Sequence, residues 1–284
     1  KNKYRLERIL FVFCCCALLE ITSVAAQPNP ESNRKEGLTE VAQIAIRDVK
    51  EKRWIDRSRG FSVLVDLSQS SDKLVQGVSN ELDISMVLIN LLQLESNTIS
   101  KQDNLPESFS EYYADLIQSV SNLEDKRSIK VLLKDEVLLS GGIAREGIAR
   151  LGDSAVASLT QEINISKAGT VRRLAILKTL QEMLSAGTIK SARDKKLIEK
   201  ILLDSAYSAN EDERIVSAYG LSAYDDKEAE ATLQALSKGD KYSVPSAHGG
   251  LTYPVREAAS RAISDRTKLM TQSECAEESC SSRK

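Results

Sequence analysis

Few side chains in this sequence are suited to catalysis. The only histidine, His248, lies in the glycine-flanked segment KYSVPSAHGGLTYP, and histidine is the usual base that activates a nucleophile in hydrolases. Two cysteines near the end, Cys275 and Cys280, either pair in an oxidising compartment or remain unpaired. One histidine without a cysteine pair at metal-ligand spacing gives no support for a zinc or haem site. We therefore predict no catalytic, cofactor-binding or metal-binding residues, and a protein that is not an enzyme.

Acidic clusters occur where helices are expected to begin. Asp225-Asp226 and Glu211-Asp212-Glu213 each stand at the start of a segment with helical apolar spacing. Carboxylates at such positions accept hydrogen bonds from free backbone N–H groups and interact favourably with the helix dipole. Helix capping therefore explains these residues without acid–base catalysis.

The first 26 residues show the features of a secretory signal in the required order. A basic start, KNKYRLER, is followed by the apolar run ILFVFCCCALL and by small residues up to Ala26. We predict cleavage after Ala26, which would remove the three cysteines at 14–16, and a secreted or periplasmic location. A retained membrane anchor and a lipoprotein are the alternatives. The apolar run is broken by Glu20 and is shorter than the roughly 20 residues that a membrane span needs.

The charge balance limits the classes of partner. Removing residues 1–26 takes four basic and two acidic residues from totals of 39 and 41, which leaves a net charge of −4. Binding to nucleic acid or to an anionic membrane requires clustered, excess Lys and Arg. We therefore expect another protein as the partner, no nucleic acid, and no membrane insertion after signal cleavage.

The composition of the remaining sequence favours helices, because aromatic residues make up only 5% and Ala, Leu, Ser, Lys and Glu dominate. Residues 27–37 combine two prolines with polar and charged residues, so we expect a flexible leader. An N-terminal helical region is expected over 38–123. It includes residues 61–69, which we assign to a helix although their apolar side chains alternate as in a strand. Residues 271–284 are expected to form a disordered tail.

Internal self-similarity is the most informative feature of the second half. The segments AREGIARLG (144–152) and VREAASRAI (255–263) share two arginines and a glutamate in one register, and two further arginine-containing segments lie between them. The last two steps between the aligned arginines match the roughly 40-to-47-residue period of HEAT and armadillo repeats. The aligned arginines are Arg145, Arg172, Arg214 and Arg256, at steps of 27, 42 and 42 residues.

These segments resemble HEAT-like repeats of the PBS-lyase type, in which two helices joined by a Gly-Asp turn form one unit. In the first copy, Gly152 and Asp153 follow the first helix, and Asp153 can cap the second helix. Segments 194–206 and 226–237 would be the second helices of later units. In the last copy, one helix face would be lined by the apolar residues Val255, Ala258, Ala259, Ala262 and Ile263.

The resemblance covers residues 124–270 and implies a particular all-α fold. The expected architecture is an α-α superhelix, a HEAT-like solenoid, with additional N-terminal helices. The 27-residue step implies one truncated or misregistered unit. An irregular helical bundle whose arginines coincide by chance is the alternative.

A stack of helix pairs presents an extended surface, so the resemblance implies a binding function. We predict a non-enzymatic, exported scaffold for protein–protein interaction. Salt bridging within repeats is the favoured role of the arginines, and a solvated spacer is the favoured role of the loop that contains the single histidine. Replacing Arg214 and Arg256 with Ala is expected to leave folding intact and to weaken partner capture. The candidate binding residues are Arg145, Arg172, Arg214, Arg256, His248 and Tyr253.

Two other functions fit the same resemblance. One is an accessory role similar to that of the HEAT-repeat phycobilin lyases, against which the export signal and the absence of a His or Cys handle for the pigment both count. The other is a structural subunit of an envelope complex, in which the N-terminal helices would dock the repeats to a neighbour.

Overall fold

The computed structural model describes residues 30–101, 105–247 and 249–281, with side chains up to residue 268. Over these ranges the chain forms fourteen α-helices, one short 3₁₀ helix and a single hairpin of two-residue strands. The predicted all-α class is therefore confirmed. In the same ranges, every helix is too short or too polar to cross a membrane. The predicted signal peptide and the imidazole of His248 lie outside the described residues.

The described chain divides into two compact units. Residues 30–95 and 105–119 form the N-terminal unit, and residues 96–101, 120–247 and 249–281 form the C-terminal unit. Two of the helices contribute residues to both units, because the divisions fall inside them.

Five helices supply the N-terminal unit. The first begins at Pro30, inside the segment predicted to be a flexible leader, because proline suits the first helical position and Arg34 and Lys35 form ion pairs with later carboxylates. The assignment of residues 61–68 to a helix is confirmed. The helices are α1 (Pro30–Asp48), α2 (Trp54–Ser68), α3 (Lys73–Glu81), α4 (Ile84–Ile99) and α5 (Glu107–Asn122).

A buried ion pair lies in the core of the N-terminal unit. Arg57 donates from Nε and Nη2 to the two carboxylate oxygens of Glu95 at 2.7 and 2.8 Å. The Tyr112 hydroxyl donates to Glu95 Oε1 at 2.9 Å, and Arg57 Nη1 donates to the carbonyl oxygens of Glu51 and Lys52. Because each charged group has several partners, the cost of removing both from water is offset.

The C-terminal unit begins with short helices and continues with longer ones. The segments 194–206 and 226–237, predicted to be the second helices of repeat units, are helical. The hairpin pairs Val244 with Thr252. The elements are η1 (Lys126–Ser128), α6 (Ile129–Leu132), α7 (Asp135–Leu138), α8 (Ile143–Arg150), α9 (Asp153–Ile165), α10 (Val171–Ser185), α11 (Ala192–Ser205), α12 (Glu211–Leu221), α13 (Lys227–Gly239), β1 (Val244–Pro245), β2 (Leu251–Thr252) and α14 (Pro254–Ser281).

Helices of the C-terminal unit contact one another in alternation. Contacts join α8 to α10, α10 to α12 and α12 to α14, and likewise α9 to α11 and α11 to α13. Consecutive helices also touch where α9 meets α10, α11 meets α12, and α13 meets α12 and α14. The short helices α6 and α7 pack against α8 at the start of this series.

Small residues allow several of these helices to approach closely. A Cβ atom at Gly147 would lie 2.6 Å from Ser121 Cβ, and one at Gly220 would lie 2.7 Å from Leu202 Cδ1. The small apolar face predicted on α14 is buried at Val255, Ala258, Ala259 and Ala262, while Ile263 is half-buried. The backbone of α14 stays helical through Ser281, although the sequence predicts a disordered tail from residue 271.

Two glycines of the N-terminal unit provide a matched test of close packing. A Cβ at Gly60 would lie 2.5 Å from the Ala45 carbonyl oxygen, whereas Gly77 has no such atom within 4 Å. We expect Gly60→Ala to lower the free energy of unfolding by about 1–3 kcal/mol, because α1 must move away from α2. Gly77→Ala should raise it by about 0.5–1 kcal/mol through better helix propensity. Urea denaturation followed by circular dichroism measures both, and equal effects would contradict the packing described.

Candidate protein-interaction site

The aligned arginines of α8 and α10 form ion pairs that join neighbouring helices. Arg145 on α8 donates from Nε to Glu182 on α10 at 3.2 Å. Arg172 on α10 donates to Glu162 on α9 at 2.7 Å and also pairs with Asp135 on α7. These partners lie on other helices, so the arginines join neighbouring helices as well as neutralising charge.

The aligned arginines of α12 and α14 meet at one residue, Asp240. Arg214 donates to both carboxylate oxygens of Asp240, at 2.7 and 3.2 Å, and to the carbonyl oxygens of Ser208 and Ala209. Arg256 donates from Nε to the Asp240 carbonyl oxygen at 2.5 Å. Its guanidinium carbon also lies 4.1 Å from the centre of the Tyr253 ring, a cation–π contact. Asp240 therefore ties α12 to α14.

The ionisation of Asp240 reflects these contacts. Burial by itself would raise the pKa of Asp240. The hydrogen bonds from Arg214 and from the Tyr242 N–H, together with the positive charges of Arg214 and Arg256, outweigh burial and lower the pKa below its ordinary value. The carboxylate is therefore charged at neutral pH and binds Arg214, while the backbone carbonyl of the same residue binds Arg256.

Sequence reasoning missed one bridge because the helix register of α10 differs by one residue from the alignment. Arg145 and Arg256 are the third residues of their helices, and in α10 that position belongs to Arg173. Arg173 donates to the buried Glu213 at 3.4 Å and to the Ile163 carbonyl oxygen at 2.7 Å. Glu213 was expected to cap a helix. It instead accepts from Gly169 N–H at 2.7 Å, while Asn210 caps α12.

Asp153 also has a different role from the predicted one. The N-cap position of α9 is Gly152, and the carboxylate of Asp153 accepts from the backbone N–H groups of Lys190 and Ser191 at 3.0 and 3.2 Å. Asp153 thus holds the turn between α10 and α11. The capping role predicted for Asp226 is confirmed, because its carboxylate accepts from two N–H groups in the first turn of α13.

Exposed apolar side chains concentrate in one set of connections. Among the described residues of the C-terminal unit, five large hydrophobic side chains are 43–73% exposed. All five lie in, or next to, the segments that lead from α9 to α10, from α11 to α12, from α13 to α14, or into α8. The turns at 151–152, 186–191 and 222–226 carry none of them. The five are Leu139, Ile165, Val171, Tyr207 and Leu251.

Three of these connections are linked to one another. Asn210 lies within 4 Å of where a Gly169 Cβ would be, and Gly169 N–H binds Glu213 at the start of α12. Arg214 binds both the 206–210 segment and Asp240, as described above. We call the segments 139–142, 165–171, 206–210, 240–247 and 249–253 the linker edge. It brings together exposed apolar side chains, backbone groups and the half-buried ring of Tyr253.

Within the ranges that the structure describes, no three His, Cys, Asp or Glu side chains converge in a way that could hold a metal ion. The pairing of Cys275 and Cys280 stays a prediction, because their side chains lie beyond those described. No known protein-family profile matches this chain, and no curated protein sequence is significantly similar to it.

The environment of Arg214 revises the expectation that its loss leaves folding intact. Its side chain is 14% exposed and that of Asp240 is 7% exposed. The substitution Arg214→Ala would therefore leave the buried Asp240 carboxylate without its ion-pair partner. We expect the free energy of unfolding at pH 7 to fall by about 2–4 kcal/mol. The exposed Arg193 on α11 is the matched control, and Arg193→Ala should change stability by less than about 0.5 kcal/mol.

The pH dependence of this effect has a definite sign. Because folding lowers the pKa of Asp240, its contribution to stability is complete at neutral pH and is lost as the pH falls through the lowered pKa. The stability difference between wild type and Arg214→Ala should therefore shrink in acid. Denaturant titrations at several pH values measure it, and a difference that is constant with pH would argue against this ion pair.

Proposed function

We propose that this protein is a non-enzymatic scaffold that binds another protein through the linker edge of a HEAT-like stack. The single observation that carries the proposal is the confinement of the exposed large hydrophobic side chains of the C-terminal unit to that edge. We propose that these side chains together form one apolar surface, since such surfaces in folded proteins commonly mark interaction sites.

The stack itself is supported by the order of helix contacts. From α8 to α14, the main contacts join helices that are one or two positions apart in the chain. That pattern is typical of repeat arrays, in which each unit contacts only its neighbours. A bundle around one core would bring helices from distant positions together. The bridges from Arg145 to Glu182 and from Arg173 to Glu213 support the same arrangement, since each joins a first helix to the next.

If the helices form a stacked array, destabilising one helix should affect mainly the helices that pack against it. Leu233 on α13 is fully buried, so Leu233→Ala should cost about 2–5 kcal/mol in that region. We expect amide hydrogen exchange to accelerate in α13 and in the helices that pack on it, α11, α12 and α14, while α8 and α9 keep their protection because their main contacts are with other helices. Exchange followed by mass spectrometry measures this, and uniform acceleration over all seven helices would indicate one cooperative core instead.

The composition of the linker edge favours a protein as the partner. Its segments are rich in Ser, Ala, Gly and Tyr, and they carry few charged residues, among them Lys167 and Lys241. Tyr, Ser and Gly also dominate antibody paratopes, where Tyr supplies rigid contact area and the small residues supply adaptable hydrogen bonds. Sparse charge argues against a phosphate-rich ligand, which requires clusters of Lys and Arg. We further propose that the partner is met outside the cytoplasm, from the signal-like features of residues 1–26.

The linker edge can be tested by removing its exposed side chains. The variant Ile165→Ser/Tyr207→Ser/Leu251→Ser should fold normally, since all three side chains lie largely in solvent. We expect the affinity for a partner captured from native extracts to fall by at least about tenfold, because buried aromatic and aliphatic anchors carry most interface energy.

The matched control changes three exposed residues on the second helices. Gln161→Ser/Lys200→Ser/Gln234→Ser leaves the linker edge intact and should bind as the wild type does. Partners are identified by mass spectrometry after affinity capture, and affinities are measured by biolayer interferometry. Unchanged binding of the linker-edge variant would overturn the proposed site, and loss of binding by the control would move the site to the second helices.

A further inference from the structure

One buried carboxyl group in the C-terminal unit has an oxygen that lacks a hydrogen-bond donor among the described residues. Glu199 on α11 is 2% exposed. Its Oε2 atom accepts from Lys196 Nζ at 2.9 Å, whereas Oε1 has no donor among the described residues. Burying a charged oxygen without a hydrogen-bond donor costs free energy, so the surroundings of Glu199 destabilise its ionised form.

Glu199 can form a hydrogen bond with the neighbouring carboxyl group of Asp226 if one of the two groups is protonated. Asp226 is the N-cap of α13 and accepts from the N–H groups of Glu228 and Ala229 at 2.9 and 3.0 Å through Oδ1. Its carboxyl is also within hydrogen-bonding reach of Glu199. Two ionised carboxylates are both acceptors, so a hydrogen bond between them requires a proton on one. With that proton, Glu199 becomes a donor and Oε1 is satisfied.

We propose that Glu199 and Asp226 form a proton-dependent latch, in which one shared proton fastens α11 to the start of α13. Loss of the proton leaves two negative charges in contact and loosens the joint between these two helices. The latch lies at the 222–226 turn, away from the linker edge, and does not depend on the proposed function.

The charges around the pair do not supply a second cation. On α11, Lys196 is the only positive group in contact with Glu199, and its side chain is largely exposed. The nearby groups from α13 and from the turn before it are Glu228 and Tyr224, whose hydroxyl donates to the Lys195 carbonyl oxygen at 2.8 Å.

The other two helices packed on α11 do not change this balance. From α12, Gly220 packs against Leu202 and brings no titratable group to that contact. From α9, Asp153 binds the backbone at the start of α11, as described above. The two carboxyls therefore outnumber the positive charge that faces them.

The ionisation of both groups follows from this geometry. Burial, and then the hydrogen bond and negative charge of Asp226, raise the pKa of Glu199 despite Lys196. The hydrogen bond from Glu199, with the N–H groups of α13, lowers the pKa of Asp226 despite burial. Glu199 therefore stabilises the fold in acid, and this contribution is lost as the pH rises through its raised pKa. Asp226 has the opposite sign, and its contribution is lost only as the pH falls through its lowered pKa.

The direct test is a titration of the full chain. Carbon-detected NMR of the side-chain carboxyls should show Glu199 titrating above the ordinary range for glutamate. As the pH rises through the raised pKa of Glu199, protection factors for the Glu228 and Ala229 amides, corrected for intrinsic exchange, should fall by roughly fivefold or more. In Glu199→Gln, whose amide donates at every pH, these protection factors should stay constant.

Asp204→Asn is the matched control, because it removes one exposed carboxylate from the same helix. It should keep the wild-type pH dependence. The latch is overturned if Glu199 titrates in the ordinary range, or if Glu199→Gln retains the wild-type loss of protection. Should Glu199→Gln fail to fold, the wild-type titration decides alone, with a raised midpoint supporting the latch and an ordinary one overturning it.

Discussion

Neutralisation of charge between stacked helices is the constraint on which the C-terminal unit depends. From Arg172 to Leu184, α10 has no exposed residue, because helices lie against it on several sides. A charged side chain in such a position must find a partner on a neighbouring helix, since an unpaired buried charge costs several kcal/mol. The pairs Arg145–Glu182 and Arg173–Glu213 satisfy this requirement on α10, and Arg214–Asp240 satisfies it on α12.

The two sets of connections between these helices have different characters. The turns at 151–152, 186–191 and 222–226 are held by internal hydrogen bonds, such as those of Asp153 to the next turn and of Tyr224 to Lys195. In these turns Ile189 is buried and Leu151 is half-buried. The linker edge is anchored through backbone groups that bind Glu213 and Arg214, so its larger side chains remain free to face solvent. A rigid scaffold that presents exposed side chains from its connections is a common basis for binding.

In the N-terminal unit, buried charge is neutralised by a different arrangement. Its central ion pair, Arg57 with Glu95, is enclosed by aromatic rings rather than repeated along a series of helices. Trp54 packs edge-to-face on Phe109 at 5.5 Å, and Tyr112 both stacks near Trp54 and donates to Glu95. Burial and the negative charge of Glu95 raise the pKa of Tyr112, so its hydroxyl remains a donor at every accessible pH.

Helix positions, the small apolar face of α14 and the cap at Asp226 could be predicted because they depend on residues within about four positions, through 3.6-residue periodicity and local hydrogen bonds. The sequence by itself therefore determined the all-α class and the helices over 194–206 and 226–237. The tertiary structure decided the ion-pair partners of the arginines, which lie 10–40 residues away, the shift from Arg172 to Arg173, and the cross-turn role of Asp153. It also decided that α1 begins at Pro30 and that the linker edge is exposed. These features depend on which helices meet, and no local pattern records the distance or orientation of a helix elsewhere in the chain.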